Sequence, residues 1–228
     1  MSVAVGAAFA MLAIAPAAQA TITEVGATGD QATGSPSCPA DCIAVTRTTG
    51  YQAKVGPDRG LYVVPRKGRI VAWSITLGKP GKRQASFFAD NFGGEAQAGI
   101  AVLRTGSKLR ARTVALSPLI NLKPYFGTTV QFPLAQSIKV QKGMVIALNV
   151  PTWAPSLAVG LPAETSWRAS REDKCKDQAT TQLQTSQQLD QLTQYRCLYK
   201  TARLTYSATL ISTVPQENAT APATTQTG

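Results

Sequence analysis

KTARLTYSATLIS, residues 200–212, alternates with a period of two. Ala202, Leu204, Tyr206, Ala208 and Leu210 interleave with Arg203, Thr205, Ser207 and Thr209. Successive side chains of an extended chain point to opposite faces, so this stretch reads as a strand with one dry and one wet face. A dry face needs a second layer to cover it.

Outward from this strand the same grammar recurs. In RIVAWSITL (69–77), Val71, Trp73, Ile75 and Leu77 fall on one face, and Trp73 is expected in the core. GIAVLR, CIAVTRTT and the shorter GLYVVP are further strand candidates. In SIKVQKGMVIALNVPTWAP (137–155), Ile138 and Val140 alternate with polar residues, and Gln141-Lys142-Gly143 offers a tight turn. Met144–Val150 is apolar on both faces except at Asn149, which predicts a central strand covered on two sides. Pro151 is expected to end it. Pro57-Asp58, Pro80-Gly81 and Gly93-Gly94 punctuate the runs, and there is no βαβ rhythm. The expected fold is all-β: an antiparallel β-sandwich, jelly-roll-like, with one short helix or irregular Gln-rich excursion. That excursion is QATTQLQTSQQLDQLTQYR, where Leu189, Leu192 and Tyr195 stand at helical spacing.

The termini read differently. MSVAVGAAFAMLAIAPAAQA is apolar and ends in Ala18-Gln19-Ala20, whose small outer residues suit a signal peptidase. Residues 1–20 are therefore expected to be a signal peptide, although no Lys or Arg precedes the apolar run. The run is short and broken by Pro16, against a membrane anchor. No transmembrane segment is expected after signal removal, and the protein is expected to be secreted or at the cell surface. Residues 21–36, small and Gly-rich, read as a flexible leader. Residues 37–213 form the sandwich domain, and 214–228 a disordered Thr/Ala/Pro tail.

Four cysteines in an exported chain suggest two disulfides, with three connectivities open. Pairing of sequence neighbours is the simplest: Cys38 with Cys42, and Cys175 with Cys197. A zinc site is disfavoured, because the chain has no histidine and the second cysteine pair is widely spaced.

The missing histidine also removes Ser-His and Cys-His nucleophile pairs. LGKPGKRQ has Gly and Lys but lacks the spacing of a phosphate loop. Carboxylates could still serve a glycosidase or lyase, through Asp90, Glu95, Glu164 or Asp173. Asp90, Asn91 and Glu95 around Gly93-Gly94 also offer hard oxygens for a structural calcium, though three donors are too few alone. The bland alternative is a solvated turn, and no cofactor is otherwise expected.

Charge is more informative. Lys and Arg number 23 against 12 Asp and Glu, a formal net charge of +11. Such an excess favours anionic partners or simply a well-solvated surface. In SKLRARTVALS a strand would put Lys108, Arg110 and Arg112 on one face. Nucleic acid is not expected, for want of a recognised binding module. Trp153, held between Pro151 and Pro155, is either a stiff platform for a sugar ring, extended by Tyr125 and Trp167, or a lid folded over the end of the sandwich. Together these features predict a non-catalytic binding or surface protein contacting polysaccharide or an anionic cell-wall polymer. The alternatives are the carboxylate enzyme and a structural or adhesive protein.

Overall fold

The computed structural model describes residues 20–28, 34–170, 175 and 188–213. In chain order the strands are β1 (Ala20–Val25), β2 (Val45–Val55), β3 (Asp58–Arg59), β4 (Gly68–Thr76), β5 (Gln97–Thr105), β6 (Arg110–Leu116), β7 (Ile120–Asn121) and β8 (Thr129–Val140). They continue with β9 (Val145–Ala154), β10 (Leu157–Val159), β11 (Ser166–Ala169), β12 (Leu192–Gln194), β13 (Cys197–Lys200), β14 (Ala202–Leu204) and β15 (Tyr206–Thr213). Among the described residues one α-helix, α1 (Lys82–Phe92), interrupts them.

The fold is an all-β antiparallel sandwich. A four-stranded sheet runs β1-β15-β4-β8, and a larger one β12-β6-β5-β9-β2-β11-β13, with β3 attached to β2 and β7 to β5. β10 and β14 pair separately. Between the sheets, Ile70, Trp73, Ile75 and Leu210 of the smaller meet a core that includes Ile100, Leu103, Ile146 and Leu148 of the larger. Each such side chain, withdrawn from water, contributes on the order of 1.5–3 kcal/mol. Trp73 packs on Phe132 with ring centroids 4.9 Å apart.

Residues Val145–Val150 are all buried, as a central strand flanked by β5 and β2 requires. Gly143 takes φ 87° in the turn before it. Pro151 does not end β9, which continues to Ala154. The register with β2 jumps there, from Thr48 opposite Val150 to Thr46 opposite Trp153, so the proline lies in an irregularity where a ladder donor is dispensable. In β4 an irregularity between Ile70 and Ala72 shifts the phase by one, so Ile70 is buried where Val71 was expected.

The alternating stretch 200–212 is not one strand. Thr201 has φ 56°, β14 pairs with β10, and β15 pairs with β4 and β1. The dry face holds throughout, but Arg203 and Thr205 of the expected wet face are buried, at 5 % and 7 % exposure. The chain passes between sheets there, so both of its faces are covered. Thr205 satisfies the crossing by donating its hydroxyl to the carbonyl of Thr76 at 2.7 Å.

One further expectation is corrected. The segment read as a leader contains β1, whose Glu24 carboxylate accepts hydrogen bonds from the Ser207 and Thr209 hydroxyls of β15. Where it is described, over residues 188–195, the Gln-rich stretch follows the irregular alternative and has no helix: Leu192 lies in β12 on the edge of β6, and Tyr195 is buried against Tyr51. The expected signal peptide (except Ala20), the tail 214–228 and most of the Gln-rich stretch lie outside the described residues. Cys38–Cys42 and Cys175–Cys197 are disulfides. Among the described residues no helix is long and apolar enough to cross a membrane.

Candidate functional site

Four of the basic residues, Arg104, Lys108, Arg110 and Arg112, come together at one end of the larger sheet. β5 and β6 form a hairpin whose register sets Arg104 directly opposite Arg112. Arg110 lies two residues from Arg112, hence on the same face, and both are exposed while Ala111 between them is buried. β12 then adds neutral partners, Leu192 opposite Arg112 and Gln194 opposite Arg110. Like charges directly opposite each other repel, and among the described residues no carboxylate ion-pairs with Arg104, Lys108, Arg110 or Arg112. The Arg112 guanidinium instead donates to the Asp190 carbonyl at 2.6 Å.

Lys108 is corrected. It does not extend the strand but occupies the connecting 3-10 turn, with φ 54°, followed by Leu109 at φ 59°. Two successive non-glycine residues in the left-handed region are costly, and such strain concentrates at functional sites. The turn is held in this form both by β12 and the residue after it and by a bond across its own ends. Gln194 donates to the Lys108 carbonyl at 3.1 Å, the Tyr195 amide to the Leu109 carbonyl at 2.8 Å, and the Gly106 amide to the Arg110 carbonyl at 2.8 Å. Arg168 donates to the carbonyls of Tyr195 and Arg196, bringing further positive charge to the same end. Sequence reasoning missed Arg104. Its signal was present, since a turn centred on Lys108 aligns residues 104 and 112.

The aromatic candidates are dispersed. Trp153 is 2 % exposed and donates its indole N–H to the Gly94 carbonyl at 2.8 Å. Its ring packs between Phe88 and Phe126, at centroid distances of 5.0 and 5.6 Å. Trp167, 4 % exposed, stacks on Tyr199 at 4.7 Å. Tyr125 is half-buried, edge-on to Phe132 at 5.1 Å. These three do not form an exposed stacking platform.

The segment read as a solvated turn is largely α1. Ala85, Phe88, Ala89 and Phe92 recur at helical spacing, and Gly93, with φ 95°, caps the C-terminus. This apolar period and the Gly-Gly stop were the overlooked signals. Asp90 and Asn91 therefore ride the helix. Asp90 accepts from the Ser86 hydroxyl, and Asn91 donates to the Phe87 carbonyl. Glu95 lies beyond the cap and accepts from Lys123 at 3.0 Å and Asn121 at 3.3 Å. Those hydrogen bonds, Lys123 first, hold the Glu95 carboxyl below its usual range, against a role as proton donor near neutrality. Each of the three is already engaged, and no group of three metal-ligating side chains occurs among the described residues. No Asp or Glu among them is buried. Glu164 is exposed, and Asp173 lies outside the described residues.

α1 also walls a cleft of about 290 Å³ with Trp153, Phe126, Ala85, Ala89 and Ala96, and with Lys82, Ser86, Glu95 and Lys123 as the polar residues of its lining. It lies at the other end of β5 from Arg104. The Gln97 amide is hydrogen-bonded to Thr152, next to Trp153, and the seven steps from Gln97 to Arg104 span about 23 Å of strand. Comparison with protein-family models, curated proteins and solved structures found no match to this chain.

Proposed function

We propose that this is an exported, non-catalytic binding protein that holds anionic surface polysaccharide through Arg104, Lys108, Arg110 and Arg112. The observation that carries the reading is the register: it places Arg104 against Arg112, with Arg110 alongside, and among the described residues no carboxylate pairs with them. A polyanion threaded along this edge relieves their mutual repulsion and meets several guanidinium groups at once. The net charge of +11 steers it there. Two disulfides accord with an oxidising compartment outside the cytoplasm. Burial of Trp153 and Trp167 favours charge over ring stacking as the means of attachment. Exposure of Asp90, Glu95 and Glu164 favours binding over turnover.

The test is retention on immobilised polygalacturonate, with dextran as the neutral control, at low and high salt. Retention on polygalacturonate alone is expected, falling steeply with salt. The triple variant Arg104→Gln, Arg110→Gln, Arg112→Gln is expected to bind at least about tenfold more weakly, with an unchanged melting temperature. Equal retention of the variant, or equal retention on dextran, refutes the reading.

A further inference from the structure

We propose that the cleft beside α1 is a second binding site, for a small amphipathic anion: a carboxylate carrying one aromatic or branched aliphatic group. The walls require the apolar part. Ala85 and Ala89 of α1 leave the space unfilled and, with the part-exposed Phe126, supply its apolar surface, while Trp153 and Ala96, at 2 % and 1 % exposure, add almost none. Trp153 is held in place by Phe88 and by its bond to Gly94, so its indole N–H is already engaged. The volume, about 290 Å³, is at the small end for ligand pockets and suits one ring with a short chain.

The lining's polar side chains require the charge. Lys123 is paired with Glu95 at 3.0 Å, and that pair is locally neutral. Lys82 remains, with Arg83 next to it in sequence, and among the described residues no carboxylate pairs with either. A ligand with its apolar group on Phe126, Ala85 and Ala89 and its carboxylate beside Lys82 satisfies both halves of the cleft. A sugar does not: its hydroxyls need several directed partners, and the lining offers only Ser86 beyond the charged groups. This site is independent of the arginine edge, which lies at the other end of β5.

The probe is 4-phenylbutyrate, titrated into the full chain by calorimetry, with 4-phenylbutanamide as its uncharged counterpart. A ligand of this size is expected to bind with a dissociation constant on the order of 0.1–1 mM. The amide is expected to bind at least about threefold more weakly, and Lys82→Gln to bring the acid down to the level of the amide. Ala89→Phe fills the cleft and is expected to abolish binding; Ala85→Leu, on the same wall, serves if that variant melts early. The triple arginine variant is expected to bind the probe normally, so failure of one site is distinguishable from failure of the other. The proposal is overturned by the absence of saturable binding, by an amide that binds as tightly as the acid, or by undiminished binding in a folded cleft-filling variant.

Discussion

Trp153 shows how one residue can be read in two ways until its surroundings are known. Pro151 and Pro155 do stiffen its segment, but the indole is turned onto Phe88 and Phe126 and its N–H is satisfied by Gly94. It joins α1 to β9 and is core. Trp153→Ala is therefore expected to destabilise the protein by about 3–5 kcal/mol, read as a lowered denaturation midpoint. An unchanged midpoint would return the residue to the surface. Trp167 is explained by a glycine: a Cβ on Gly50 would meet the indole at 2.8 Å, so only glycine lets the ring lie flat on β2. Neither tryptophan is placed by its own sequence neighbourhood.

Between elements, the two sheets are tied by phenols. Tyr62 donates its hydroxyl to the Tyr206 carbonyl at 2.7 Å, and Tyr206 of β15 donates its own to the Ile146 carbonyl of β9 at 2.9 Å. Burial, the largest cause, raises both phenols above the ordinary tyrosine value, Tyr206 the further. A phenol whose pKa is raised in the folded state binds its proton more tightly there than when unfolded. Its contribution is complete below the ordinary value, about 10, and is lost as pH climbs from there through the raised value. Denaturant melts are expected to give constant stability up to about pH 9 from these groups and a decline above about pH 10. Tyr206→Phe leaves the Ile146 carbonyl without this donor. It is expected to cost about 1–2 kcal/mol at neutral pH and to make the alkaline decline shallower. An alkaline limb identical to that of the parent protein would show that Tyr206 does not carry it.

For the molecule as a whole, covalent closure matters most where the loop is long. Cys175 and Cys197 are 22 residues apart, whereas Cys38 and Cys42 are separated by 4. Chain entropy assigns about 3 kcal/mol to the first and about 2 kcal/mol to the second. Replacing Cys175 and Cys197 together by serine is expected to lower the melting temperature more than replacing Cys38 and Cys42. The reverse order would mean that constraint of the unfolded chain is not the main effect. Cys197 also lies fully buried on β13, beside β11, so the bridge fastens the chain to the end of the larger sheet.

The sequence by itself determined the strand grammar and the excess of positive charge, and made one pairing of the cysteines the simplest of three. These follow from local periodicity, from the spacing of like residues and from composition. What only the tertiary structure decided is pairing and burial. The stretch 200–212 has an alternation that cannot reveal its break, because the reason for the break is two partner strands in different sheets. α1 was legible in the spacing of Ala85, Phe88, Ala89 and Phe92, yet its polar residues and the Gly-Gly stop resemble a turn until Trp153 is seen to receive it. Arg110 and Arg112 share a face by strand geometry alone, but Arg104 joins them through register. Register is set by contacts between residues distant along the chain, and alternation within a single strand carries no record of them.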